Sequence, residues 1–129
     1  MQDSIFSKII RGEIPAHKIY EDDKVIAILT IEPTSPGHTL VIPKTQTDHV
    51  WDLPDEDYSY MWQIVKKLGA HIKKTLGSPR VGIVVEGFGV PHVHIYLIPI
   101  YKSNDLKKPD AKASNDELAR MAKKLTFTA

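Results

Sequence analysis

Apolar residues at Tyr58, Met61, Trp62, Val65, Leu68, Ile72 and Leu76 recur every three or four positions, and this spacing predicts one long amphipathic helix from Pro54 onward. Asp55 is its expected cap, Lys73 and Lys74 suit its carboxyl end, and Gly77 ends it. A shorter pattern of the same period, Ile5, Phe6, Ile9 and Ile10, predicts a helix capped by Asp3 or Ser4, ended by Gly12 and Pro15, and packed as a lid on a sheet. Elsewhere the period falls to two. His17 to Glu21 and Val25 to Leu29 read as a hairpin around the polar turn Glu21-Asp22-Asp23-Lys24. A third strand, Thr39 to Ile42, stops at Pro43. Val81 to Glu86 is a fourth, and a fifth runs from about 92 to 98 between Pro91 and Pro99. The polar stretch Lys102 to Lys112 reads as a linker, and Ser114-Asn115-Asp116-Glu117 is a capping box for a last short helix through Leu118, Met121 and Leu125. These elements define an α+β domain: a mostly antiparallel sheet, one long helix and short terminal helices.

The chain has 129 residues, enough for one domain with a real core and too few for two. Its 17 basic and 16 acidic residues nearly cancel, so no global field gathers a nucleic-acid polymer or an anionic membrane, and any nucleotide bound is small. The absence of cysteine excludes disulfides, thiolate metal sites and a cysteine nucleophile. The start, Met1-Gln2-Asp3-Ser4, lacks the layout of a signal peptide, and no apolar run approaches the roughly 18 residues that span a bilayer. A cytoplasmic protein is the expectation.

The chemistry concentrates in Pro91-His92-Val93-His94-Ile95-Tyr96-Leu97-Ile98-Pro99. Alternation along a strand puts His92, His94 and Tyr96 on one face and Val93, Ile95 and Leu97 in the core. Just upstream, Glu86-Gly87-Phe88-Gly89 is a loop whose backbone amides can approach an anion without a Cβ in the way. One histidine on a strand is usually a hydrogen-bonded structural residue; two on one face beside a glycine loop point to phosphate chemistry.

The same residues resemble the histidine-triad (HIT) family of nucleotide hydrolases and transferases, over about Ser4 to Tyr101. Ile5-Phe6 with Ile9-Ile10 and Gly12-Glu13-Ile14-Pro15 looks like the family's N-terminal helix and turn, and Pro36-Gly37-His38-Thr39-Leu40-Val41-Ile42-Pro43-Lys44 like its central strand. His92-Val93-His94-Ile95-Tyr96 sits where the triad lies. The resemblance implies a single HIT-like domain over 1–129, and a homodimer joined through a long helix and a sheet edge, with Trp51 or Trp62 as candidate contributors. It implies hydrolysis of purine nucleoside phosphoramidates or related phosphoanhydrides, with His94 attacking the α-phosphorus and becoming transiently nucleotidylated. A neutral imidazole suits this role, because histidine ordinarily titrates at about 6.5 and covalent catalysis splits one hard displacement into two easier ones. The resemblance further implies a backbone carbonyl on the other ring nitrogen of His94. His92, roughly 7 Å along the strand, is expected to donate to the phosphate oxygens or the bridging atom. Backbone amides of Gly87, Phe88, Gly89 and Val90 are expected to act as an oxyanion hole does.

The chain departs from the family pattern in several places. Tyr96 holds the third triad position, and a phenol donates a hydrogen bond but is neutral at pH 7. Thr30 stands where an aspartate often grips the ribose hydroxyls, with Glu32 nearby, and the loop before the triad is short and lacks a serine and glutamine near the leaving group. Where some members hold zinc with cysteines and histidines, this chain has Ser4, Ser7 and Gln46, poor Zn²⁺ ligands, so neither metal nor cofactor is expected. Phe6, Ile14, Leu29 and Ile31 are candidate walls of a base pocket, although core packing explains them equally. His38 is read as a structural hydrogen-bonding residue near the site, and His17, His49 and His71 as surface or edge residues. Two other readings of the motif are a His-x-His metalloenzyme, which lacks its further carboxylate here, and a nucleotide-binding or scaffolding module without turnover.

Overall fold

The computed structural model describes residues 2–103, 106 and 112–129. Its frame is a five-stranded antiparallel sheet with strands β1 (Lys18–Glu21), β2 (Val25–Leu29), β3 (Thr39–Pro43), β4 (Arg80–Val84) and β5 (Ile95–Ile100), in the order β1-β2-β3-β5-β4. The helices are α1 (Ile5–Ile10), α2 (Asp55–Leu76) and α3 (Asn115–Leu125). The α+β architecture expected from the periodicities is the one observed.

Period-two alternation sorts the sheet into two faces. Val25, Ala27, Leu29, Val41, Ile95 and Leu97 point to one side, where they meet Met61, Ile64, Val65, Leu68 and Ile72 of α2 and Leu118 and Leu125 of α3. Ile26, Ile28, Leu40 and Ile42 point to the other, beneath Phe6 of α1. A thick core therefore backs the sheet on the α2 side, and a thinner one under α1 borders the histidines. Burial of each large apolar side chain contributes about 1.5–3 kcal/mol.

Several boundaries differ from those the pattern predicts. Pro54, not Asp55, occupies the N-cap of α2, where no side chain caps the helix. Asp55, Glu56 and Asp57 instead lie in the first turn, where negative charge complements the helix dipole. Gly77 closes α2 in the left-handed region (φ +66°) as expected, and Ser114 and Glu117 form the expected capping box of α3. Strand β4 ends at Val84 rather than Glu86, and a short 3₁₀ turn, Val50–Asp52, has no counterpart in the sequence reading. Most of the 102–112 linker lies outside the described residues.

The largest shift is in β5, which starts at Ile95, after the two histidines, and runs through Pro99 to Ile100. Its ladder with β3 covers only Val41↔Ile95, Leu40↔Tyr96 and Thr39↔Leu97. Upstream of Ile95, the carbonyl of Pro43 in β3 accepts instead from the His92 ring at 2.7 Å, and the Val93 amide donates to Thr47. Pro99 lies past the last pairing with β3 and faces only Val81 of β4, so its missing N–H takes no bond from the β3 ladder.

Candidate active site

His92, His94 and Tyr96 stand on the α1 side of the sheet, and Val93, Ile95 and Leu97 in the main core, as alternation requires. The two imidazoles do different things. His94 places Nδ1 2.7 Å from the carbonyl oxygen of His92. A carbonyl only accepts, so Nδ1 carries the hydrogen and Nε2 keeps its lone pair. Nε2 has no hydrogen-bond partner among the described residues.

His92 is wholly buried, and both of its ring nitrogens are engaged. Nε2–H donates to the carbonyl of Pro43 at 2.7 Å, and Nδ1 therefore accepts from the Ser4 hydroxyl at 2.7 Å. Burial lowers the pKa of this ring below the ordinary histidine value, with the Pro43 bond opposing the shift. The expected donation from His92 to a phosphate is thus corrected. The ring has no free N–H, and its contribution to the site is the carbonyl that holds His94.

Phe6 is nearly buried and meets both rings edge-on, with centroids 5.8 Å from His92 and 5.0 Å from His94. It packs against both histidines. Leu29 does not reach this face: it is 3% exposed and packed in the core under α2, because odd positions of β2 point away from the histidines. Ile28 occupies the face assigned to Leu29. Ile31 is exposed, and Ile14 is half-buried.

Tyr96 is half-buried, its ring centroid 5.4 Å from that of His94 and 4.9 Å from that of His38. Burial, reinforced by the negative charge of Glu86, raises its pKa, so it remains a protonated phenol. His38 is buried. Its Nδ1 accepts from the Thr34 amide at 3.0 Å, so Nε2 carries the hydrogen, and that donor has no partner among the described residues. Desolvation lowers the His38 pKa to about 4, which keeps the ring neutral. Thr30, at the end of β2, donates its amide to the His38 carbonyl, and its hydroxyl oxygen accepts from the Glu32 amide, leaving its O–H as a donor.

The loop behind the histidines has two parts. Val90 is anchored in the thinner core and accepts from the His92 amide at 2.8 Å. Gly87 to Gly89 stand outward: Gly87 has φ +83°, a side-chain carbon at Gly87 or Gly89 would meet nothing within 4 Å, and Phe88 is 92% exposed. The amides of Gly87, Phe88 and Gly89 make no hydrogen bond among the described residues.

A second polar cluster adjoins His92, and only part of it was expected. Gln46 Oε1 accepts from the Ser4 amide at 3.1 Å and from the Ser7 hydroxyl at 2.9 Å, while Gln46 Nε2 donates to the Gln2 carbonyl. Two hydroxyls, an amide and one imidazole, each occupied by the others, do not fit Zn²⁺, which takes thiolate, imidazole or carboxylate ligands. Among the remaining histidines, His49 is exposed, whereas His71 is half-buried: it donates from Nε2 to the Leu125 carbonyl at 3.0 Å and packs on Phe127, tying α2 to the C-terminal segment.

A five-stranded antiparallel sheet presenting a His-x-His pair, with the second imidazole held by the backbone carbonyl of the first histidine, is the arrangement of a histidine-triad protein. The chain belongs to this family: the HIT domain model matches residues 11–103. An uncharacterized HIT-like protein of Methanocaldococcus jannaschii is 38% identical over 126 residues, covering 94% of this chain and 97% of that protein. An adenosine 5′-monophosphoramidase of Saccharomyces cerevisiae is 38% identical over 96 residues, 74% of this chain and 61% of that enzyme. Among solved structures, a HIT-like protein from Bartonella henselae superposes with a TM-score of 0.87 at 32% identity, covering 96% of this chain and 94% of the other. No helix among the described residues is long and apolar enough to cross a membrane.

Proposed function

We propose that this HIT protein hydrolyses purine nucleoside phosphoramidates or related nucleotide phosphoanhydrides through a nucleotidyl-His94 intermediate. The observation that carries the reading is the 2.7 Å bond from His94 Nδ1–H to the His92 carbonyl, which leaves Nε2 as a lone-pair nucleophile. Nε2 bonds to the α-phosphorus as the P–N bond breaks, and the departing amine takes a proton from water. The ring gains positive charge as the new bond forms, so its Nδ1–H bond becomes charge-assisted, worth about 1.5–3 kcal/mol against about 0.5–1.5 for a neutral one. That difference appears in the transition state and not before, which is where binding lowers a barrier. Water then attacks phosphorus, the P–Nε2 bond breaks, and the nucleoside monophosphate leaves with the imidazole restored.

The other residues support this scheme. The unpartnered amides of Gly87 to Gly89 suit the developing phosphoryl charge, and the Tyr96 phenol donates to a phosphate oxygen or the leaving atom. The Thr30 hydroxyl offers the ribose a neutral contact, and Phe6 and Ile31 offer the base apolar surface. Similarity to a monophosphoramidase favours adenine as the base. In this reading the chain is a cytoplasmic homodimer, and its edge strand β4, with Ile83 50% exposed, is the contact. Sedimentation equilibrium checks the dimer.

Incubation with adenosine 5′-phosphoramidate tests the activity. AMP release by wild type and none by His94→Ala is the expected result. Equal release by both defeats the His94 mechanism, and tight AMP binding without turnover in either leaves a nucleotide-binding module.

A further inference from the structure

Ser4 lies 88 residues from His92 in sequence and is 4% exposed. Its side chain has two roles. The oxygen accepts from the Ser7 amide at 3.0 Å, which makes Ser4 the N-cap of α1. The hydroxyl hydrogen has one good acceptor, because His92 Nε2–H is committed to Pro43 and Nδ1 is left as a bare lone pair 2.7 Å away. The alternative acceptor, the Ser7 hydroxyl, is farther at 3.4 Å. The His92 ring is thus held at both nitrogens and by the edge of Phe6.

The backbone on either side of His92 is held as well. Gln46 Nε2 reaches the Pro91 carbonyl at 3.4 Å while its Oε1 takes the Ser4 amide and the Ser7 hydroxyl. The Val93 amide donates to Thr47 at 2.7 Å. With ring, preceding peptide and following peptide all tied, the His92 carbonyl has one direction, and it is aimed at His94 Nδ1.

We propose that Ser4 is a positioning residue for His94: by fixing the His92 ring it fixes the carbonyl that orients and later stabilises the nucleophile, so the start of α1 and the reacting imidazole form one hydrogen-bonded unit. This inference rests on His94 being the nucleophile. It predicts a cost in rate rather than in affinity, since the carbonyl bond strengthens only as charge develops on the ring.

The test compares full-length Ser4→Gly, Ser4→Ala and Ser4→Thr with wild type, first by long-range ¹H–¹⁵N NMR of the histidine rings without substrate. Glycine is the decisive variant, because at an N-cap it replaces serine at a cost of only a few tenths of a kcal/mol while removing the hydroxyl. In wild type His92 is expected as a single Nε2–H tautomer. In the glycine and alanine variants its Nδ1 resonance moves, and the protection of the His94 Nδ1–H from exchange falls. With adenosine 5′-phosphoramidate, kcat is expected to fall about tenfold with KM unchanged, and Ser4→Thr to recover most of it. An unmoved His92 resonance, or a wild-type kcat in Ser4→Gly, overturns the proposal. If wild type turns over no phosphoramidate, the proposed activity fails, and the ring resonances still decide whether Ser4 holds His92 and, through it, His94.

Discussion

The carbonyl oxygen of His92 accepts a hydrogen bond from Nδ1 of His94, two residues ahead, at 2.7 Å. One residue's backbone thereby sets the tautomer of the other's side chain, while the His92 ring itself is consumed by Ser4 and Pro43. The two histidines of the motif therefore have different consequences when replaced.

Replacing His94 with alanine is expected to lower phosphoramidate turnover at least 1,000-fold, on the order seen when a covalent nucleophile is lost, and, because the ring is buried against Phe6, to cost about 1–2 kcal/mol of stability, less than at His92. Replacing His92 with alanine is expected to cost about 2–4 kcal/mol as well as activity, because the Ser4 hydroxyl and the Pro43 carbonyl lose their partner. Parallel urea titrations and rate measurements separate the two.

Beside Tyr96, His38 Nε2–H is a buried donor without an acceptor among the described residues, the two rings 4.9 Å apart. An imidazole at position 96 can present a nitrogen lone pair to that donor. Tyr96→His is expected to raise kcat several-fold and to leave stability equal or higher. Tyr96→Phe keeps the bulk, removes the donor, and is expected to lower kcat. A Tyr96→His variant slower than Tyr96→Phe contradicts this account.

His38 also predicts an acid limb in stability. Its folded pKa, about 4, lies below the ordinary histidine value near 6.5, so below pH 6.5 the unfolded chain binds a proton that the folded one refuses. The stability is fully present above pH 6.5 and is lost as the pH falls toward 4, by about 3 kcal/mol. His92, also lowered by burial, adds in the same direction. Urea midpoints between pH 7.5 and 4.5 should show the slope, and His38→Gln should flatten it.

Asp22 anchors the β1–β2 turn. Burial alone would raise its pKa, but hydrogen bonds from the Tyr20 and Tyr60 hydroxyls and the Lys24 and Val25 amides outweigh it and lower the pKa. Asp22→Ala strands those donors and is expected to cost about 2–4 kcal/mol with phosphoramidate turnover per folded molecule unchanged. Thermal unfolding and active-site titration check both halves.

Gly37 holds a backbone conformation that L side chains rarely adopt: φ is +94°, and a Cβ would lie 2.5 Å from Leu76 Cδ1, which would have to shift, and 3.2 Å from Pro99 Cγ. Gly37→Ala is expected to destabilise by about 2 kcal/mol or more, combining left-handed strain with overpacking. Because His38 follows directly, the loss of activity should exceed the loss of folded protein, as read by turnover per folded molecule.

Much of this molecule was legible from local chemistry. The spacing from Tyr58 to Leu76 implies α2, alternation through Val25–Leu29 and Thr39–Pro43 implies strands, and Ser114 with Glu117 implies the start of α3, because each signal acts within a few residues of the element it sets. The His-x-His face was legible for the same reason. What local pattern could not supply was the partner of each polar atom. Ser4 and Pro43 reach the His92 ring across 88 and 49 residues, Gln46 reaches the Pro91 carbonyl across 45, and only the folded sheet decides that the His92 ring is consumed by these partners while its carbonyl serves His94. Leu29 was misassigned because sequence reveals alternation without revealing which side faces the histidines; α2 made that choice by covering one face of the sheet with the larger apolar surface.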